Sequence, residues 1–342
     1  MARVDLTVRG GGIFGLSVAW EAARRGAKVR LIEAVAIGAG SSGGTVGALS
    51  PHTPELWNEK KAFQLDSLLM AQGFWDGVEA ASGLSSGYGR VGRLQVLADA
   101  AAVELARVRE VDAVTLWQGQ AAWRVVRATG AAWEPRSPSG WLVQDSLGAR
   151  LHPVMAAAAL VAAIRAKGGE VVIGDAENKG AVVWATGLAG LQDLTADLGR
   201  FVGGGVKGQS MALRASFEGP QIFVDGLHIV PHVDGTVGIG ATSENTWEDA
   251  TATDERLEAL HQRALAALPV LQGAEVITRW AAVRPRPKSL APLLGGWPGR
   301  EGHFVANGGF KIGFGMAPKV AEVMADLVLD RRDAIPDSFR LR

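Results

Sequence analysis

The stretch Gly10-Gly11-Gly12-Ile13-Phe14-Gly15 limits what this chain can fold into more than any other. It follows an alternating run, Val4-Asp5-Leu6-Thr7-Val8, that reads as a strand. It opens a segment in which Ile13, Leu16, Ala19, Trp20 and Ala23 recur at helical spacing. Arg24-Arg25-Gly26 brings cations to the last turn and a glycine stop. Residues 28–32 form a second strand that ends on Glu33. Strand, Gly-x-Gly-x-x-Gly turn, helix and strand in that order predict a βαβ unit that binds a dinucleotide. Gly10 makes the tight turn, Gly12 opens the backbone to a pyrophosphate, and Gly15 lets helix and strand close on each other. The free N–H groups of the helix start face the anion. Glu33 can accept hydrogen bonds from a ribose diol and would repel a 2′-phosphate, which disfavours NADP.

The chain has 342 residues, enough for two lobes and a large core. Its formal net charge is zero, so charge gives no argument for nucleic acid or an anionic membrane surface. There is no cysteine, which excludes disulfides, thiolate catalysis, cysteine-ligated metals and cysteinyl cofactor links. The first strand begins almost at once, with no secretory leader, and no apolar run reaches the ~18 residues of a membrane span. A soluble cytoplasmic protein is expected.

After Glu33, residues 36–51 are small and apolar, a loop suited to lying against a flat ligand. Ser41, Ser42 and Thr45 in it can bond phosphate oxygens. Periodicity predicts helices over 55–81, 100–111, 153–167, 254–268 and 318–329. Strands are expected at 92–97, 170–173, 181–187 and 304–309, and a β-rich section begins at Val206. Asp234-Gly235 between two apolar runs signals a hairpin. The connection from 173 to 181 is short.

With these blocks in place the sequence resembles FAD-dependent oxidoreductases of the D-amino-acid oxidase family, most closely the glycine oxidase branch linked to thiamine synthesis. The resemblance rests on 10–33, on 41–52, on 183–187 with Gly208-Gln209, and on Trp280-Ala281-Ala282-Val283-Arg284-Pro285 with 308–318. Order and spacing match across nearly the whole chain.

The resemblance implies an α/β, α+β mixed fold: a Rossmann-type FAD-binding domain and a second, mixed β-sheet substrate domain. The FAD lobe would comprise 1–78, 148–207 and 281–342, and the substrate lobe 79–147 and 208–280. Non-covalent FAD would lie with its pyrophosphate on Gly10, Gly12, Ile13, Phe14 and Gly15 and its ribose on Glu33. Its flavin would follow Thr45, Val46, Gly47, Ala48 and Leu49, with Gly187 and Gly308 nearby. The flavin's pyrimidine end would face Lys311, Ile312, Gly313, Phe314 and Gly315, where a helix start stabilises an anionic reduced ring. Arg284 would hold the substrate carboxylate, because a planar fork suits it bidentately. Three positions in two blocks depart from the family's pattern. His228 stands in place of a substrate-contacting tyrosine, and Gly309 and Lys311 replace the usual His and Arg. His228 and Lys311 join Arg284 as catalytic candidates, and His52 lies close enough in sequence to the flavin loop for a histidyl link to be considered.

The implied reaction is oxidation of the C–N bond of a small amine or amino acid by hydride transfer, with O2 or a quinone as acceptor. The resemblance leaves homo-oligomer formation open. A dehydrogenase of the same family, an NAD enzyme, and a tRNA-modifying or non-catalytic flavoprotein stay as alternatives. No basic stripe supports RNA contact.

Overall fold

The computed structural model describes residues 4–341; residues 1–3 and 342, the outermost parts of the first and last expected FAD-lobe segments, lie outside it. From the N-terminus, β1 (Leu6–Arg9) leads into α1 (Ile13–Arg24) and β2 (Val29–Glu33). Next come β3 (Ala48–Leu49), α2 (Glu59–Ser82), β4 (Arg93–Val96), α3 (Ala100–Leu116), β5 (Trp123–Arg127) and β6 (Trp141–Asp145). They are followed by β7 (Ala149–Arg150), α4 (Pro153–Ala166), β8 (Glu170–Ile173), β9 (Ala181–Trp184) and α5 (Gly187–Leu198). Then β10 (Gly203–Arg214), β11 (Gln221–Val224), β12 (Leu227–Pro231), β13 (Thr236–Gly240), α6 (Glu255–Ala267) and β14 (Glu275–Pro287) build a second layer. β15 (Leu293–Gly296), β16 (His303–Asn307) and α7 (Gly313–Asp330) return to the first.

The strands form a six-stranded sheet in the order β15-β16-β9-β1-β2-β8 and an eight-stranded sheet in the order β14-β10-β13-β12-β11-β4-β6-β5. β1 pairs in parallel with β2 on one side and β9 on the other, so the glycine turn sits where the strand order reverses. Leu6, Thr7 and Val8 are fully buried, as a parallel strand covered on both faces requires. α1 is buried along almost its whole length, and Arg25 just past its end donates to Asp326 of α7 at 2.7 Å. The eight-stranded sheet carries its own apolar cluster, with Met211, Ile222 and Ile239 packed on Leu257 and Leu260 of α6. No helix of the described residues is long and apolar enough to cross a membrane.

Several expected boundaries move. α2 begins at Glu59 rather than 55, because the Asn58 side chain accepts the Lys61 N–H at 3.1 Å and caps it there. α3 runs on to Leu116 rather than 111. α7 begins at Gly313, so Pro318 lies inside the helix instead of opening it. The expected lobe boundaries after residues 78, 207 and 280 fall inside α2, β10 and β14. The last two strands are held as one ladder, paired from Gly203↔Pro287 to Arg214↔Glu275. The short connection after β8 is fastened by Arg9, whose Nε donates to the Asn178 side chain at 2.6 Å.

Candidate active site

The carboxyl ends of β1, β2 and β9 and one face of the eight-stranded sheet enclose a cavity of about 1070 Å³. The glycine turn forms its floor at one end. A Cβ at Gly10 would lie 2.4 Å from the Ala185 carbonyl oxygen, and one at Gly15 would lie 1.9 Å from that of Gly10. These two glycines are required by packing. A Cβ at Gly12 would meet only Ser42 Oγ, at 3.3 Å, and otherwise open space, so its absence leaves room on the cavity side. α1 starts there with Gly12 as a cap that supplies no side chain, which leaves first-turn N–H groups for an anion. The Glu33 carboxylate accepts from the Gly11 N–H at 2.6 Å and the Val35 N–H at 3.0 Å. Those two bonds fix it at the rim with lone pairs to spare for a diol. A glycine cradle, an uncapped helix start and an oriented acid are what the diphosphate and ribose of a dinucleotide need.

The loop after Glu33 borders the cavity. Ser41, Ser42, Thr45, Val46, Gly47 and Ala48 all line it. Two of the three hydroxyls expected at phosphate are engaged within the protein. Ser42 Oγ accepts the Ile13 N–H at 3.0 Å, and the Thr45 hydroxyl lies 2.9 Å from Ser210 Oγ and 3.0 Å from the Met211 carbonyl. The Thr45 carbonyl is 2.9 Å from His232 Nε2, which must donate to it. Burial pushes that imidazole down to about 4, so the ring is neutral.

At the other end, Arg284 of β14 lies across β10. A Cβ at Gly208 would fall 2.0–2.2 Å from three atoms of its guanidinium, so the glycine is what lets the fork lie there. One amino group donates to the Thr242 carbonyl at 3.1 Å. Burial lowers the Arg284 pKa, opposed by Glu244. His228 of β12 faces the same cavity beside Phe223, with ring centroids 4.8 Å apart. Burial, then the charges of Arg93, Lys311 and Arg284, pushes His228 down to about 3. It is a neutral ring, and its Nδ1 has no hydrogen-bond partner among the described residues.

The segment after β16 closes the cavity. Gly308, Gly309, Phe310, Lys311, Gly313 and Phe314 line it. Phe310 has φ +44°, a left-handed backbone that a bulky residue adopts only when its surroundings enforce it. A Cβ at Gly309 would lie 3.0 Å from the Phe14 ring, so the aromatic side chain occupies the space that a larger residue would take. α7 starts at Gly313 without a side-chain cap, and its first two residues, Gly313 and Phe314, line the cavity.

Gly187 and the other residues named from the sequence thus meet in one cavity, apart from Gly15, Leu49, Ile312 and Gly315. Gly15 serves the helix–strand contact. Leu49 is fully buried in β3, paired with Ala149. Ile312 packs into the core, and Gly315 faces Leu68 and Gln64 of α2. His52 does not line the cavity either; its backbone N–H donates to the Gln64 side chain at 2.8 Å, which turns it toward α2 and removes it as a flavin attachment point. Phe223, Phe310 and Trp280 line the cavity without having been singled out for it, and Trp280 packs so close to Gly44 that a Cβ there would lie 3.1 Å from its ring. Only the positive φ of Phe310 and the flatness of Gly208 reveal their roles, and neither is written in local sequence.

Comparison with known proteins agrees with this geometry. The family described as DAO, FAD dependent oxidoreductase, matches residues 5–327. A glycine oxidase of Geobacillus kaustophilus is 26% identical over 361 residues, covering 95% of this chain and 93% of the relative. A glycine oxidase of Pseudomonas putida is 33% identical over 125 residues, a match that spans 36% of this chain and 34% of that protein. The crystal structure of glycine oxidase from Geobacillus kaustophilus superposes with a TM-score of 0.86 at 23% identity, covering 100% of this chain and 99% of that one.

Proposed function

The chain belongs to the DAO family of FAD-dependent oxidoreductases, and from that we propose that it oxidises the C–N bond of a small amine that carries a carboxylate. The observation that carries this reading is the Arg284 guanidinium, held over Gly208 at the cavity wall with one amino group on the Thr242 carbonyl and the rest of its fork without a hydrogen bond among the described residues. A bidentate carboxylate fits that fork.

In this reading Gly10, Gly12, Ile13, Phe14 and Glu33 hold the diphosphate and ribose of FAD, and the 45–48 backbone with Gly308 and Gly313 borders its ring. Bound there, FAD supplies a two-electron acceptor, and the resulting imine is hydrolysed by water to a carbonyl product and the free amine or ammonia. Arg284 fixes the carboxylate and thereby aims the α-carbon. His228 stays neutral and offers a hydrogen bond to the bound substrate. Trp280, Phe223 and Phe310 exclude water around it. The five-segment lobe division is supported by the alternate entry of the chain into the two sheets, while its expected joints after residues 78, 207 and 280 lie inside α2, β10 and β14.

The test is a panel of glycine, N-alkyl glycines, D-amino acids and amines without a carboxylate, followed by flavin bleaching without oxygen. Carboxylate-bearing amines alone should bleach the flavin. Bleaching by simple amines at equal rates would overturn the reading. Readmitting air to the bleached protein separates oxygen from a quinone as acceptor.

A further inference from the structure

The substrate end of the cavity holds more positive charge than one carboxylate needs. Arg284 and Lys311 both line it. Arg286, exposed and outside the cavity lining, lies two residues along β14 from Arg284 on the same face of the strand, opposite Gly204, and its charge acts on Lys311. Lys311 is exposed and sits over the Phe310 ring, its ammonium 5.6 Å from the centroid. Neither Lys311 nor Arg286 makes an ion pair among the described residues. The Glu244 carboxylate, which acts on Arg284, is already met by Lys207 at 3.9 Å and Arg256 at 3.2 Å. The acidic residues that line the cavity, Glu33 at the end of β2 and Asp175 just after β8, belong to the other sheet. In a chain of zero net charge this concentration is local.

We propose that the substrate carries two anionic groups, the carboxylate beside the reacting carbon on Arg284 and a second anion met by Lys311 and Arg286. The proposal rests on the carboxylate-amine reading above and narrows it to an amine flanked by two acids, or an acidic amino acid. Like charges brought together without an acid repel, and burial together with Arg284 and Arg286 lowers the Lys311 pKa. A dianion offsets that repulsion more fully than a monoanion, which places its single charge on Arg284. Phe310 in its left-handed conformation turns the 308–311 segment so that Lys311 reaches the cavity, which makes the second cation a fixed feature of the wall. The same charges raise the local concentration of an approaching dianion and make its capture sensitive to salt.

The test uses the FAD-loaded protein and two ethers that cannot be oxidised at nitrogen, methoxyacetate with one carboxylate and diglycolate with two. Binding is read from the flavin spectrum and by calorimetry. Diglycolate should bind the parent at least ten-fold more tightly than methoxyacetate. Lys311→Met should shrink that ratio to about two-fold or less, and Lys311→Arg should keep most of it, which also controls for folding. A parent ratio near one, with methoxyacetate bound, overturns the second-anion site and leaves the carboxylate reading intact. Equal losses for both ligands in Lys311→Met also overturn it, because the lysine then serves one shared carboxylate or the flavin. Failure of both ligands to bind the parent removes the carboxylate reading and this proposal with it.

Discussion

A methyl group at position 208 separates substrate anchoring from folding. Gly208 lies in the long β10–β14 ladder beside Ala282, and its missing side chain is the space that the Arg284 guanidinium fills. In Gly208→Ala the new Cβ would sit 2.0–2.2 Å from guanidinium atoms, well inside contact distance. The obstructing atoms are the tip of a flexible side chain, so the fork moves and the strand does not. Removing a glycine from a strand lowers the entropy cost of folding by roughly 0.5–1 kcal/mol, which offsets the lost bond to Thr242. Thermal stability and FAD content should therefore stay close to those of the parent. Displacing the fork removes charge-assisted hydrogen bonds to the substrate carboxylate, each set worth about 1.5–3 kcal/mol. Carboxylate ligands should then bind roughly 10–150-fold more weakly. The assay is titration of the flavin spectrum with methoxyacetate in the parent, Gly208→Ala, Arg284→Ala and the double variant. The two changes act on one group, so the double variant should bind no worse than Arg284→Ala alone. Unchanged affinity in Gly208→Ala, or losses that add in the double variant, would refute the argument that this glycine seats the arginine.

Arg284→Lys should recover only part of the affinity lost in Arg284→Ala, since an ammonium cannot grip both oxygens in one plane; ligand titration checks it. Gly12→Val should fold and lose FAD, whereas Gly15→Val should lose stability outright, because its side chain would collide with the Gly10 carbonyl; cofactor content and thermal melts tell the two apart. The purified protein should be yellow and release all its FAD on denaturation, because it has no cysteine and His52 is turned away from the cavity; absorbance of the protein-free filtrate measures this. Burial holds His228 down at about 3, and His232 and His52 at about 4, all below the ~6.5 of an unfolded chain. Between those values the unfolded chain binds more protons, so stability is fully present above ~6.5 and is lost as pH falls toward 3–4. Denaturant midpoints across that window should fall on acidification, less steeply in His228→Gln.

Local sequence carried the nucleotide end of the site and little of the substrate end. Gly10, Gly12, Gly15 and Glu33 lie within one βαβ unit, so their spacing alone encodes their geometry. The wall that holds Arg284 is built by pairing residues some eighty positions apart, and no local pattern reveals that Gly208 lies beneath its fork. Pro285 and Pro287 read as strand breakers, yet both lie in β14, an edge strand with β10 as its one neighbour, where a missing N–H is tolerated. The early start of α7 was hidden for a similar reason. Gly313 and Gly315 look like loop, and Pro318 looks like a helix start, but packing of α7 against α1 and α2 overrides those propensities. At Gly309 a Cβ would lie 2.9 Å from the Gly313 Cα and 3.0 Å from the Phe14 ring, a crowding between distant segments that local sequence does not reveal.

The order of strands in the first sheet has a consequence for biosynthesis. β1 is made long before β16, which finishes its sheet, and α1 is covered only in part, by α4, until α7 arrives. A nascent chain that already contains the whole glycine motif therefore has no closed nucleotide pocket until β16 and α7 have been made. Apolar faces of β1 and α1 wait in the open, where chaperones or aggregation compete for them. FAD must be loaded after the segment that follows β16 has been made and has met the β1–α1 turn. Trimming the chain before Gly308 should abolish cofactor uptake while sparing every residue of the motif that announces it.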